Sequence, residues 1–305
     1  MTTALVFPGQ GSQYVGMAQD LVAAHPVARA VFAQADATLG FALSALCFTG
    51  PESELTDTFN AQPALLTHSV AALRVWQTLA PHATPAFVAG HSLGEYSALV
   101  AADALDFADA LKLVRERGRV MKSAGEKTPG VMASVLGIDV SALEAVCAET
   151  GAQIANYNNP GQLVISGTKE SIEQASALAK TRGARRVITL AVSIASHSRL
   201  MEPAAHEFAL AVAQTPLRAP HIPVISNVTA LPLTDASAIK AELVNQLTHS
   251  VQWIQSVEYM VAQGVTHFTE LGPKDAVAGM IRRINPNVHA VSVGDVASLK
   301  AFGEG

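Results

Sequence analysis

The sequence predicts an α/β fold, with a large unit built on a parallel sheet and a smaller α/β unit inserted into it. Three observations carry this. Short apolar runs alternate with helical patterns along most of the 305 residues, which is the rhythm of a parallel sheet. One strand-to-helix turn, within Phe87 to Tyr96, holds a Gly-x-Ser-x-Gly spacing. Between residues 131 and 192 the order becomes strand-helix-strand-strand-helix-strand, the ferredoxin-like order, and the parallel rhythm resumes after residue 199.

In chain order, residues 3 to 7 read as a buried strand, followed by the Gly-rich turn Pro8-Gly9-Gln10-Gly11-Ser12-Gln13. Such a loop can cradle a phosphate. It lacks the Gly-Lys-Ser/Thr ending and the Gly-x-Gly-x-x-Gly spacing, so a plain connection competes with that reading. Residues 17 to 80 carry helical patterns, with breaks expected at Gly40, at Gly50-Pro51 and at Pro63. Residues 86 to 89 form a strand, and a helix is expected over 107 to 121. The polar stretch Ser123 to Gly130 marks a domain boundary. Strands at 131–136, 152–157, 163–166 and 186–192 and helices at 141–150 and 169–182 make up the insert. Then come a helix at 199–214, a strand at 222–226, a helix at 251–263, a strand at 266–270 and a helix at 275–284. The resulting division is 1–126 with 198–305 as the large unit and 127–197 as the small one.

Half of the residues are hydrophobic and 15% are charged, enough for a sizeable core. A net charge of −5 argues against general nucleic-acid binding. Cys47 and Cys147 offer neither metal spacing nor a disulfide framework and fit a reducing compartment. The N-terminus lacks the basic start and the long apolar run of a signal peptide, and no apolar stretch approaches membrane-spanning length. The expectation is a cytoplasmic protein.

Several residues stand out chemically. Gly90 and Gly94 allow the sharp reversal that lifts the Ser92 hydroxyl and aims amide N–H groups of the new helix at whatever it attacks. The competing reading makes Ser92 only a helix cap. On the helix from Phe107, the residues Ala110, Leu113, Val114, Arg117, Gly118 and Met121 share one face. Lys112, Arg115, Glu116, Arg119 and Lys122 fall on the solvated remainder. Arg117 is therefore a cation on an apolar stripe, and a buried charge needs a partner. An internal carboxylate or a substrate carboxylate would serve, and structural reasoning alone favours the internal pair. His197 lies where the insert returns to the main unit, at a junction where clefts form. Lys180, Arg182, Arg185 and Arg186 form a basic cluster, either a docking patch for an acidic partner or an ordinary solvated helix end.

Together these segments resemble the malonyl-CoA:acyl-carrier-protein transacylases of fatty-acid synthesis and the related acyltransferase domains of polyketide synthases. The resemblance rests on Phe7 to Gln13, Gly90 to Tyr96, Arg117-Gly118, Asn156 to Gln162, Ser196-His197 and Val251-Gln252-Trp253, in this order. It implies an α/β-hydrolase-like large subdomain with a ferredoxin-like insert. It also implies Ser92 as nucleophile, His197 as general acid/base, and the amides of Gln10 and Leu93 as oxyanion hole. Arg117 becomes the clamp for the malonyl carboxylate, with Gln10 and Asn158 lining the substrate pocket. A main-chain carbonyl near Gln252 is expected to orient His197, so no triad Asp is needed. Malonyl-CoA is the implied substrate, an acyl carrier protein the partner, with no bound cofactor, no metal, no nucleic acid or membrane partner, and a monomeric state. The rivals are an acyl-thioester hydrolase, a non-enzymatic carrier-docking module, and a polyketide-pathway acyltransferase using methylmalonyl or another extender. Position 194 is Ile, where methylmalonyl-selective domains carry Tyr. The family commonly shows Gly-Pro-Gly-Lys where this chain has Gly272-Pro273-Lys274-Asp275.

Overall fold

The structure is a computed structural model that describes residues 2–190 and 192–303. In order, its elements are β1 (Thr3–Phe7), α1 (Gln19–Ala24), α2 (Pro26–Leu39), α3 (Leu43–Thr49), α4 (Glu52–Thr56), α5 (Thr58–Leu79), β2 (Phe87–Gly90), α6 (Gly94–Ala101) and α7 (Phe107–Lys127). The middle of the chain gives β3 (Val131–Leu136), α8 (Val140–Thr150), β4 (Gln153–Asn159), β5 (Gln162–Gly167), α9 (Lys169–Thr181) and β6 (Arg186–Thr189). A 3-10 turn at Arg199–Met201 leads into α10 (Glu202–Gln214), β7 (Val224–Ile225), β8 (Pro232–Leu233), α11 (Ala236–Asn245) and α12 (Trp253–Ala262). The chain closes with β9 (His267–Leu271), α13 (Ala276–Ile284), β10 (His289–Val293) and α14 (Val296–Gly303).

Two separate sheets result. The first runs β10-β9-β1-β2-β7-β8, parallel throughout except for the β7–β8 pair at one edge. Alternation along β1 sends Leu5 and Phe7 into one core and Ala4 and Val6 into another, so this strand is buried on both faces, as parallel strands are. The first core takes in α2, α5, α6, α7 and α10, and the second takes in α12 and α13. The second sheet runs β4-β5-β3-β6, antiparallel throughout, with its own apolar cluster under α8 and α9. The two units touch directly. The Tyr157 amide donates to the Val251 carbonyl, and the Val251 amide donates to the Ala155 carbonyl.

Several elements differ from the sequence expectation. Pro63 does not break its helix but lies inside α5, most of whose residues are buried. Packing along that face outweighs one missing N–H near the helix start. Helix α7 runs on to Lys127, through most of the polar stretch expected to be a break, because Ala124 and Gly125 are buried, with Gly125 against Ser193 and Ile194. The last insert strand ends at Thr189 rather than 192, and Ala191 lies outside the described residues. Helices α11 and α14 and strand β10 have no counterpart in the expectation. Among the described residues no helix is long and apolar enough to cross a membrane.

Candidate active site

Strand β2 ends at Gly90 and α6 begins at Gly94. The three residues between them turn the chain so tightly that Ser92 sits at φ +50°, in the left-handed region that costs an L-residue roughly 1–2 kcal/mol. Both glycines are required by contact. A Cβ at Gly90 would lie 1.9 Å from the Gly94 carbonyl carbon, and one at Gly94 would lie 2.2 Å from the Phe7 carbonyl oxygen. The Gln10 loop crosses this turn just as closely, since a Cβ at Gly9 would lie 2.5 Å from the His91 carbonyl oxygen. Strain at Ser92 is held by its neighbours. Its amide donates to Asn227 Oδ1 (2.7 Å), and Asn227 Nδ2 donates to the Gly90 carbonyl (2.7 Å). Among the described residues the Gln10 and Leu93 amides are not spent on turn or loop carbonyls. Gln10 lines the same cavity as Ser92, and Leu93 is the next residue after Ser92 in the chain.

The Ser92 hydroxyl lies 2.8 Å from His197 Nε2. His197 Nδ1 lies 2.7 Å from the Gln246 carbonyl oxygen. A carbonyl only accepts, so Nδ1 carries the proton and Nε2 presents its lone pair to the serine O–H. Burial is the main force keeping this imidazole neutral, and the Arg117 charge adds to it, pushing its pKa down to about 3. The orienting carbonyl thus belongs to Gln246 and not to Gln252. Gln252 caps α12 instead: its carbonyl accepts from the Ser256 amide (2.9 Å) and the Ser256 hydroxyl (2.9 Å). Gln246 follows the last turn of α11, where helix carbonyls have no intrahelical donor, and His197 fills that vacancy.

Arg117 is 1% exposed on the buried face of α7. Its Nη1 donates to Gln62 Oε1 (2.9 Å), and its Nη2 donates to Gln246 Oε1 (2.9 Å) and Ser92 Oγ (3.2 Å). Its guanidinium carbon stands 5.7 Å from the centre of the Tyr96 ring. Among the described residues it forms no ion pair with a carboxylate. The internal pair favoured from the sequence is not formed. A guanidinium partnered only by amides, a hydroxyl and a ring leaves a buried positive charge open to an incoming anion.

A cavity of about 480 Å³ gathers these groups between the two sheets. Gln10, Ser92, Arg117, Asn158 and His197 all line it, with Met132 and Val164 from the antiparallel sheet and Met280 from α13. Asn158 Oδ1 accepts from His91 Nε2 at 2.8 Å. Gln10 Oε1 accepts from the Thr58 hydroxyl (3.0 Å), which accepts in turn from Gln62 Nε2 (2.9 Å). Leu93 is not among the residues lining the cavity, and its side chain is in the core.

The sequence profile of the acyl transferase domain matches residues 4–297. The chain belongs to the acyl transferase family. Among its relatives, the malonyl CoA-acyl carrier protein transacylase of Escherichia coli K12 is 46% identical over 302 residues, covering 98% of this chain and 97% of that one. The Bacillus subtilis protein of the same name is 45% identical, covering 97% and 95%. A crystal structure of an acyl carrier protein S-malonyltransferase from Vibrio cholerae superposes with a TM-score of 0.96 at 45% identity, over 99% of this chain and all (100%) of that chain. A malonyl-transacylase solved in complex with a type II PKS acyl-carrier protein superposes at 0.97 with 42% identity, over 100% and 99%.

Against the motif common in acyl transferases, Lys274 takes the place of a glycine and adopts φ +65°, the left-handed conformation that glycine reaches without strain. Its Nζ donates to the Gly11 (3.2 Å) and Gln13 (3.4 Å) carbonyls, tying this loop to the one that carries Gln10. In the basic cluster, Arg182 is paired with Glu149 at 2.7 Å, while Lys180, Arg185 and Arg186 are exposed. Sequence reading missed Gln62, Asn227 and Gln246. Gln62 was detectable by the logic that found Arg117, being a polar residue four before Leu66 on the apolar stripe of α5. Asn227 follows β7, whose Ile225 pairs with Ala89, and so stands beside the serine turn.

Proposed function

We propose that this chain transfers a malonyl group from malonyl-CoA to the phosphopantetheine thiol of an acyl carrier protein, through a malonyl ester of Ser92. The observation that carries the reading is the buried Arg117, which has no carboxylate ion-pair partner among the described residues and stands 3.2 Å from Ser92 Oγ. A nucleophile beside an unpaired guanidinium expects an acyl group with a free carboxylate, held by the planar fork.

His197 Nε2 takes the Ser92 proton as Oγ attacks the thioester carbonyl. The oxyanion forms against the Gln10 and Leu93 amides, donors that lower such barriers by about 3–4 kcal/mol each. The intermediate collapses, the C–S bond breaks, and His197 returns the proton to the departing CoA thiolate. The carrier thiol then gives its proton to His197, attacks the Ser92 ester and leaves with the malonyl group, while Ser92 Oγ recovers the proton. Every proton is shuttled by Nε2, with Nδ1 held on the Gln246 carbonyl throughout. These steps call for no cofactor and no metal. Gln10 and Asn158 line the acyl pocket.

The family's α/β-hydrolase-like and ferredoxin-like description suits the two sheets. The β4-β5-β3-β6 order, with α8 and α9 on one face, supports a ferredoxin-like insert spanning 127–197 within a large subdomain of 1–126 and 198–305. The exposed Lys180, Arg185 and Arg186 suit an acidic carrier. We take the enzyme to be a cytoplasmic monomer.

The test is labelling with radioactive malonyl-CoA in the absence of carrier. One equivalent of acid-stable label is expected on the protein, chased off by holo carrier with ping-pong kinetics, and lost in Ser92→Ala. Label released to water as fast as to the carrier would make the protein a hydrolase.

A further inference from the structure

Behind the serine turn lie two buried carboxyls that the acyl-transfer steps do not use. Glu95, in the first turn of α6, is 0% exposed, and Glu242, on α11, is 5% exposed. Glu95 Oε1 accepts from the Asn227 amide (2.9 Å) and Asn227 Nδ2 (3.1 Å), and Glu95 Oε2 accepts from Gln246 Nε2. Glu242 accepts from the Ser226 hydroxyl (2.6 Å) and the Val228 amide (3.0 Å). Burial first, and then the neighbouring Glu242, hold the Glu95 carboxyl well above its ordinary range. All three of these contacts to Glu95 come from N–H donors, so toward Asn227 and Gln246 its oxygens act as acceptors.

The direction of each hydrogen bond follows from Arg117. A guanidinium only donates, so Gln246 must turn Oε1 toward it. Gln246 Nε2 must then face the other way, where it finds the Ser92 carbonyl (3.0 Å) and Glu95 Oε2. Were Glu95 Oε2 a donor, the Gln246 amide would be driven to flip, bringing N–H groups against the guanidinium. The same residue also holds Asn227, which fixes the Ser92 amide and the Gly90 carbonyl.

We propose that Glu95 is a positioning residue for malonyl selection: as an obligatory acceptor it fixes the amide orientation of Gln246, and so holds Arg117 where the substrate carboxylate meets it. Glu95 itself touches no reacting atom. The proposal rests on the transacylase reading above and concerns only how its carboxylate clamp is set.

Glu95→Gln is the sharpest variant, because it keeps the shape and removes one acceptor. With its oxygen toward Asn227, the introduced amide presents N–H groups to Gln246 Nε2. With its oxygen toward Gln246, it presents them to the Asn227 amide. No orientation satisfies both. Acylation of Ser92 is measured with malonyl-CoA and acetyl-CoA, for the unaltered enzyme and the variant, with circular dichroism as the check on folding. The malonyl-to-acetyl ratio of kcat/KM is expected to fall at least tenfold, mostly through KM for malonyl-CoA, and to fall little further in Glu95→Gln combined with Gln246→Leu. An equal loss with both substrates, or losses that multiply in the double variant, would overturn the proposal. Glu95→Asp, which withdraws the carboxylate from Gln246, should lower the ratio in the same direction, and an unchanged ratio there counts equally against it. Neutron diffraction on the unaltered enzyme decides the matter without a variant: amide deuterons of Gln246 pointing at Glu95 are expected, and deuterons pointing at Arg117 refute the idea. Failure of the unaltered enzyme to take up malonyl would instead remove the transacylase reading itself.

Discussion

Replacing Arg117 with Ala separates the proposed carboxylate clamp from the proposed Ser92–His197 apparatus. The substitution removes donors to Gln62 Oε1, Gln246 Oε1 and Ser92 Oγ. It leaves the contacts of His197 with Ser92 and with the Gln246 carbonyl in place. A malonyl carboxylate entering the altered site would be buried with no cation. Breaking one side of such a pair costs about 3–5 kcal/mol, and each ~1.4 kcal/mol is a factor of ten in rate. The expected loss in kcat/KM for malonyl-CoA is therefore on the order of 10²- to 10⁴-fold. An acetyl group carries no carboxylate and forfeits none of this, so acetyl-CoA should be used about as well as before or better. The assay is single-turnover acylation of Ser92 with each thioester, which isolates the first chemical step from carrier binding. Equal losses for malonyl-CoA and acetyl-CoA would refute the reasoning, because they would mean that Arg117 acts on Ser92 rather than on the substrate.

Two further outcomes follow from the geometry. Acylation by malonyl-CoA should stay nearly flat from pH 8 to pH 5, because His197 works as a neutral base and burial together with Arg117 pushes its pKa down to about 3; a descending limb centred near the ordinary histidine pKa of about 6.5 in stopped-flow acylation would show a solvated histidine instead. Gly94→Ala should destabilise the protein by about 3 kcal/mol or more and abolish labelling of Ser92, since the added Cβ would lie 2.2 Å from the Phe7 carbonyl oxygen and 2.9 Å from that of Pro8; an active variant with unchanged urea midpoint would contradict the tight elbow.

The residues visible in the sequence are those that break a local rule. Ser92 lies between two glycines at a strand-to-helix turn, Arg117 is a charge on an apolar stripe, and His197 stands at the return from an insert. The same reasoning fails where the deciding contacts come from elsewhere in the chain. Helical spacing puts Arg115 on the solvated face of α7, yet its guanidinium lies 4.3 Å from the centre of the Phe41 ring and 4.1 Å from that of Phe59, two aromatics that no helical wheel of α7 contains. Gln246 acts through a main-chain carbonyl, which every residue possesses. Only the position where α11 ends selects it, and the sequence pattern does not reveal α11. Misplacing this role by six positions, onto Gln252, is the expected error when a backbone group does the work and the intervening helix is missing. Asn227 follows a two-residue strand too short to give a periodic signal, and only the pairing of that strand with β2 brings it to the elbow.

The choice of a neutral carbonyl to orient His197 is linked to the clamp. Gln246 gives His197 its main-chain oxygen and gives Arg117 its side-chain oxygen, so whatever orients the histidine is also next to the guanidinium. A carboxylate at that point would hold the imidazole equally well. It would also pair with Arg117 and neutralise the charge that the proposed function assigns to the substrate carboxylate. It would raise the basicity of His197 in the empty enzyme as well. With a neutral amide there, no carboxylate of the described residues pairs directly with Arg117, and under the proposed function the direct partner arrives with malonate. Pairing with Arg117 then relieves the repulsion between guanidinium and imidazolium, so the base strengthens when a carboxylate-bearing acyl group is in place. Selectivity and base strength are in this way coupled through one glutamine. Gln246→Glu should therefore impair malonyl transfer more than acetyl transfer, measured as the ratio of acylation rates with the two thioesters, even though every atom of the orienting main-chain carbonyl is retained.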